Sequence, residues 1–201
     1  MKNIAVLASG EGTNLEAILE AVEEKEITGK VVMVISDQAK AHALERAKNH
    51  GVKAQFVDPR FYESRKEYDR TLVKLLKNEA VDLVVLAGFM RLLSPLFIDA
   101  FPLRIMNIHP SLLPSFKGLD GIGQACRYGV KVTGCTVHFV EEGLDSGPII
   151  LQETVPVIQR DTVGTLHQRI HAAEHRIYAT AIDLFCRDML KVEGRRCLII
   201  D

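Results

Sequence analysis

The sequence predicts an α/β protein: a three-layer, mostly parallel twisted sheet with a Rossmann-like N-terminal half, an antiparallel strand pair in the C-terminal half and a long C-terminal helix. Three observations predict it. Short β-branched apolar runs alternate with amphipathic stretches through the first half, the pattern of strands covered on both faces. After His109 that alternation breaks, and two β-rich runs face each other across a loop too short for a parallel crossover. One long helical pattern follows.

Taken in order, residues 4–8, 31–35, 52–57, 83–86 and 104–108 read as strands. Residues 14–25, 39–49, 65–78 and a short stretch at 95–100 read as helices between them. Such alternation implies parallel strands joined by right-handed crossovers. Pro110, Pro114 and several glycines mark a long irregular loop, with a helix near 121–128 behind it. The run 132–140 alternates through Val132, Gly134, Thr136 and His138, and 149–157 is its antiparallel mate. Residues 162–189 form one helical pattern, with Thr162 or Asp161 as its cap and Gly194 beyond its end. Nothing reads as a linker, repeat or low-complexity tract, so a single domain over 1–201 is expected.

Composition narrows the function classes. The chain has 201 residues, with 25 Lys and Arg against 26 Asp and Glu, so its formal net charge is −1. That balance argues against a nucleic-acid surface, which shows a basic excess. Hydrophobic residues at 47% and charged residues at 25% exclude a disordered or fibrous chain. No apolar run approaches the ~20 residues needed to span a bilayer. The apolar stretch 4–8 is too short for a secretory signal and reads as the first strand of a cytoplasmic protein. Cys126, Cys135, Cys186 and Cys197 form no C-x-x-C pair and read as reduced thiols.

Three segments could carry chemistry. Ser9-Gly10-Glu11-Gly12-Thr13-Asn14 joins the first strand to the first helix. Glycines there let the backbone approach a ligand, and the helix N-terminus favours an anion. The third glycine of a dinucleotide fingerprint is replaced by Leu15, and no Gly-Lys-Ser/Thr follows. Two readings stand on this segment alone: a phosphate or carboxylate site, or a plain turn with Thr13 or Asn14 as N-cap. In Asn107-Ile108-His109-Pro110-Ser111-Leu112-Leu113-Pro114, Asn107 and His109 share one face at a strand's carboxyl end, where ligands of open α/β sheets bind. A histidine there can move a proton and an asparagine amide can stabilise an oxyanion, a pairing suited to acyl-type transfer. The bland alternative is a histidine packed at a strand end. Asp145 lies in the loop between the antiparallel strands, either as a turn residue or as the group that orients His109.

These residues converge. Asn107-x-His109-Pro-Ser-Leu-Leu-Pro114, Thr133-Gly-Cys-Thr-Val-His138 and Leu144-Asp145-Ser-Gly-Pro148 closely resemble the 10-formyltetrahydrofolate-dependent formyltransferases. Ala8-Ser-Gly-Glu-Gly-Thr-Asn14 narrows the resemblance to the branch acting on glycinamide ribonucleotide in purine biosynthesis, over essentially the whole chain to about residue 190. The resemblance implies transfer of a formyl group from 10-formyltetrahydrofolate, as co-substrate, to the amine of N1-(5-phosphoribosyl)glycinamide, with no metal. By position it implies Asn107, His109 and Asp145 as catalytic residues and Gly12, Thr13 and Asn14 as the phosphate-binding segment. His171 and Glu174 match the stretch that meets the glycinamide end. Folate binding falls to Arg65, Met90, Arg91, Leu92, Leu93, Asn107, Glu141, Glu142, Gly143 and Leu144. One departure is plain: many members have His after Gly-Leu where this chain has Asp120. Implied partners are the two small molecules, neither nucleic acid nor membrane; monomer and homodimer both stay open.

His167, His171 and His175 recur every fourth residue, a spacing suited to metal, but no third ligand of another type stands nearby and a polar stripe facing substrate is preferred. Lys191, Arg195 and Arg196 read as a solvated helix end. Methionyl-tRNA formyltransferase would need a further domain and a basic surface, and formyltetrahydrofolate hydrolase usually carries an extra N-terminal domain. A non-catalytic sugar-phosphate-binding module would need only the glycine-rich loop and leaves Asn107, His109 and Asp145 unexplained.

Overall fold

The computed structural model describes residues 1–200, in two compact units, Met1–Met106 and Asn107–Asp201. The first unit holds β1 (Asn3–Leu7), α1 (Thr13–Glu23), β2 (Lys30–Ser36), α2 (His42–Asn49), β3 (Lys53–Phe56), α3 (Arg65–Asn78), β4 (Leu83–Leu86) and α4 (Pro95–Ala100). A further strand, β5 (Ile105–His109), begins in this unit and ends in the second. The strands β3-β2-β1-β4 lie side by side and pair in parallel. Their continuous apolar character has its expected cause: Ile4 to Leu7 of β1 and Leu83 to Leu86 of β4 are all buried. Leu15, Ile18 and Leu19 of α1 and Leu72, Val73 and Leu76 of α3 form the buried faces of their helices.

Two local details differ from expectation here. Neither Thr13 nor Asn14 caps α1; Gly12 does, in the left-handed region at φ 73°. Only glycine suits it, because an added Cβ would sit 2.8 Å from the Cα of Ala43. Pro59–Phe61 forms a short 3-10 turn that no periodicity announced, capped by Asp58.

The second unit carries α5 (Gly121–Tyr128), β6 (Val132–Phe139), β7 (Ile149–Pro156) and α6 (Val163–Cys186). The β6–β7 pair is antiparallel, as expected, with a register slip between Val137 and His138. Thr162 caps α6 in a reciprocal arrangement with Thr165. Leu166, Ile170 and Ala173 of α6 close a core with Ile122, Cys135 and Val155. The architecture is thus the expected α/β one: parallel strands first, an antiparallel pair later, and a long helix after it.

The tail corrects the sequence reading. Helix α6 stops at Cys186, and residues 190–199 form an antiparallel hairpin, β8 (Leu190–Glu193) and β9 (Arg196–Ile199). Gly194, at φ 60°, supplies the positive φ that its two-residue connection needs. Lys191, Arg195 and Arg196 therefore belong to a hairpin, not to a helix end. The strand order within this part of the sheet is β6-β7-β9-β8.

Candidate active site

Within the first unit, Ser9 ties two loops together. Its N–H donates to the Gly88 carbonyl (3.1 Å) and its hydroxyl accepts from the Met90 N–H (2.9 Å). The glycine-rich segment and the segment 88–94 are thereby fixed to each other at the carboxyl ends of β1 and β4. Thr13 and Asn14 open α1, with Glu16 in its first turn. Burial works to raise the Glu16 pKa, but Arg46 and His50 outweigh it and hold the carboxyl below its ordinary value.

Met90 and Leu92 are large apolar side chains left 71% and 63% exposed. Arg91 is placed differently from them. Its guanidinium turns back over the Tyr68 ring (5.1 Å to the centroid) and stands 4.0 Å from the buried Asp37 carboxylate. Arg65 is exposed at the start of α3, whose cap is the Ser64 hydroxyl accepting from the Glu67 N–H.

In the second unit the structure brings Asn107, His109 and Asp145 together. Nδ1 of His109 lies 3.5 Å from Asp145 Oδ2. Nε2 of His109 donates to the Phe116 carbonyl (2.8 Å), and the Gly118 N–H donates to Asp145 Oδ2 (2.8 Å). A fourth residue completes the cluster. His138, near the end of β6, has Nε2 at 3.3 Å from Asn107 Nδ2 and at 3.8 Å from Asp145 Oδ1. Burial lowers the His138 pKa, against the opposing pull of the Phe139 carbonyl and Asp145. The motif Thr133–His138 by itself assigns His138 no role. Its place two residues beyond Thr136 carried the signal: that face of β6 points at the loop after His109, where the Thr136 hydroxyl donates to Ser111 O (2.7 Å) and accepts from Leu113 N–H (3.1 Å).

Two backbone features aim Asp145. It sits at φ 45°, a left-handed conformation that aspartate tolerates better than most residues and that recurs at functional sites. Gly147, at the base of the same loop, packs so closely that an added Cβ would lie 1.8 Å from the Phe139 carbonyl oxygen. Glu141, Glu142, Gly143 and Leu144 form the exposed rim of this loop. Asp120 caps α5, accepting from the Gly123 N–H (3.2 Å), and pairs with Arg127 (3.0 Å). The departure from histidine at this position thus has a structural use.

On α6, His171 Nε2 stands 3.5 Å from the buried Glu174 carboxylate. The rings of His167 and His171 lie 4.0 Å apart and those of His171 and His175 5.9 Å. Burial first, then the neighbouring imidazoles, pushes the His171 pKa down to about 4, so the ring is neutral near pH 7. Among the described residues no group of three or more His, Cys, Asp or Glu side chains is arranged to hold a metal ion.

An amide and an imidazole on β5 meet a carboxylate at that strand's carboxyl end, where ligands of open α/β sheets bind, a set of groups suited to acyl-type group transfer. The comparisons with known proteins specify the class: residues 2–182 match the formyl transferase family, and the chain belongs to it. Among curated relatives, the phosphoribosylglycinamide formyltransferase of Bacillus subtilis is 41% identical over 182 residues, covering 90% of this chain and 93% of the relative. The trifunctional purine biosynthetic protein adenosine-3 of Homo sapiens is 42% identical over 198 residues, and there this chain spans only 20% of the relative's length. Among solved structures, glycinamide ribonucleotide transformylase 1 of Symbiobacterium toebii is 55% identical with a TM-score of 0.99, covering 100% of this chain and 95% of that one.

Proposed function

We propose that this chain is a phosphoribosylglycinamide formyltransferase acting as one functional domain over residues 1–201. It transfers the formyl group of 10-formyltetrahydrofolate to the amine of N1-(5-phosphoribosyl)glycinamide in de novo purine biosynthesis, giving the N-formyl product and tetrahydrofolate. The observation that carries the reading is the cluster of Asn107, His109 and Asp145. Family membership and the near-full-length Bacillus relative support it.

The amine nitrogen attacks the formyl carbon; an N–C bond forms and the carbonyl oxygen becomes an oxyanion. The bond from that carbon to the folate nitrogen then breaks, and a proton passes from the attacking amine to the leaving nitrogen. Asn107 donates to the oxyanion, a contribution of about 10²–10³-fold for one well-placed donor. With Nε2 held by the Phe116 carbonyl, His109 stabilises the oxyanion or relays the proton through Nδ1, on the side of Asp145. Asp145 orients His109 and anchors a proton-carrying water, general acid–base help worth roughly 10²–10⁴-fold. Gly12, Thr13 and Asn14 hold the substrate phosphate, while His171 and Glu174 meet its glycinamide end. Arg65, Met90, Arg91, Leu92, Leu93, Asn107 and the rim 141–144 serve the folate. The folate carries the one-carbon unit.

A cytoplasmic location goes with this reading. All four cysteines are free, and no described helix is long and apolar enough to cross a membrane. An absorbance assay of 10-formyl-folate consumption, with and without the ribonucleotide, tests the function. Turnover that requires the ribonucleotide is expected; turnover without an acceptor would make the protein a hydrolase, and none at all would leave only ligand binding.

A further inference from the structure

The glycine-rich loop leans on α2 through its carbonyls. The Gly10 carbonyl accepts from the Ala43 N–H (3.2 Å), and the Glu11 carbonyl accepts from Arg46 Nε (2.8 Å). The Gly12 carbonyl makes the first bond of α1, from Glu16 N–H (2.9 Å). A trans peptide sets its N–H opposite its C=O. Two successive carbonyls held on α2 therefore turn the N–H groups of Glu11 and Gly12 to the opposite side, beside the N-terminus of α1. Such a run of outward N–H groups is an anion cradle. One of the two tethers is backbone. The other is the side chain of Arg46, whose fork also reaches Glu16, with Nη1 at 3.0 Å from Oε2.

We propose that Arg46 is a positioning residue for phosphate binding: by holding the Glu11 carbonyl against α2, it keeps the Gly12 N–H aimed into the cradle. This rests on the reading of residues 12–14 as the phosphate segment. Without Arg46 the peptide between Glu11 and Gly12 is free to rotate, and a carbonyl dipole facing the phosphate opposes binding where an N–H favoured it. The guanidinium suits the task because one planar fork serves a carbonyl and a carboxylate together, which a lysine ammonium cannot do in the same geometry.

The test uses the full chain, with ribose 5-phosphate as the calorimetric probe and steady-state kinetics alongside. Arg46→Ala is expected to weaken ribose 5-phosphate roughly tenfold or more, the scale of one hydrogen bond to a charged group. KM for the ribonucleotide rises in step, while kcat and the folate KM stay within about twofold. Arg46→Lys recovers part of the loss. Glu16→Gln breaks the ion pair but spares the carbonyl tether, so it lowers the thermal midpoint and leaves ribose 5-phosphate binding unchanged. Arg46→Ala binding the probe like wild type would overturn the proposal, as would equal weakening by Glu16→Gln or equal loss of folate affinity. Wild type that fails to bind ribose 5-phosphate would overturn the phosphate-segment reading itself, and the role of Arg46 with it.

Discussion

Asn107 and His138 fix each other's orientation. His138 Nδ1 lies 2.8 Å from the Phe139 carbonyl oxygen and its Nε2 lies 3.3 Å from Asn107 Nδ2. A carbonyl only accepts, so Nδ1 carries the ring hydrogen and Nε2 of the neutral ring accepts. The asparagine must then present its NH2, not its oxygen, to His138. The burial that depresses the His138 pKa keeps the ring neutral and this orientation in force.

On the proposed mechanism, Asn107 is the oxyanion donor and His138 decides which way its amide faces. His138→Ala leaves the amide free to turn. The expected result is a fall in kcat of about tenfold to 10²-fold, below the full loss of an oxyanion donor, with both KM values little changed. Stopped-flow turnover at saturating substrates checks it; an unchanged kcat would remove His138 from the site.

Asp145→Asn separates chemistry from folding. Asparagine accepts the left-handed backbone at φ 45°, and its side-chain oxygen can still accept from the Gly118 N–H. The side chain is only 10% exposed and faces two imidazoles, so a stability cost of up to about 1–3 kcal/mol is expected with the fold retained. Activity should drop by roughly 10²–10⁴-fold, since the neutral amide neither holds the His109 ring as the carboxylate does nor takes up a proton. A variant that keeps full turnover while folding normally would show that His109 works without this partner.

Gly147→Ala attacks the same carboxylate from behind. Its new methyl would meet the Phe139 carbonyl oxygen at 1.8 Å, so backbone must move. A loss of about 1–3 kcal/mol in urea unfolding is expected, together with reduced kcat because the loop bearing Asp145 shifts. A stable, fully active variant would mean that the loop relaxes elsewhere.

How much of this was legible in the sequence depends on range. The alternation of β1, α1 and β2 was visible because buried parallel strands are continuously apolar and their helices carry one apolar face. Asn107 and His109 were visible as a pair because strand geometry alone puts alternate residues on one face. Their contact with Asp145 is long-range, and only the family resemblance supplied it. The hairpin 190–199 was missed because its strands have four residues each and follow a helix whose apolar pattern runs on through Leu184 and Met189. The backbone conformation of Gly12 is set by the approach of Ala43, a tertiary contact with no local signature.

Arg91 and Leu92 are neighbours with different expected failures. Leu92 is 63% exposed, and Leu92→Ser should raise the folate KM several-fold with stability nearly unchanged. Arg91→Ala strips the cation from the Tyr68 face and from Asp37, which is only 5% exposed. Leaving that buried carboxylate with the Gln38 amide but no cation should cost about 1–3 kcal/mol of stability. Denaturant midpoints and folate KM for both variants check the contrast; a purely folate-specific effect of Arg91→Ala would place its guanidinium at the ligand instead.

His171 makes stability pH-dependent in a defined direction. Its pKa is pushed down to about 4, by burial and then by His167 and His175, whereas an unfolded histidine titrates near 6.5. Between those values the unfolded chain binds a proton that the folded one refuses. Stability from this residue is therefore fully present above pH ~6.5 and is lost as pH falls toward 4. His171→Gln removes the titration and leaves His50, whose pKa moves the opposite way under Glu23 and Glu16, present in both proteins. The difference in thermal midpoint, variant minus wild type, should be flat above pH ~6.5 and should rise steadily on acidification below it. A difference that stays constant down to pH ~4.5 would mean that the folded protein protonates His171 as readily as the unfolded chain does.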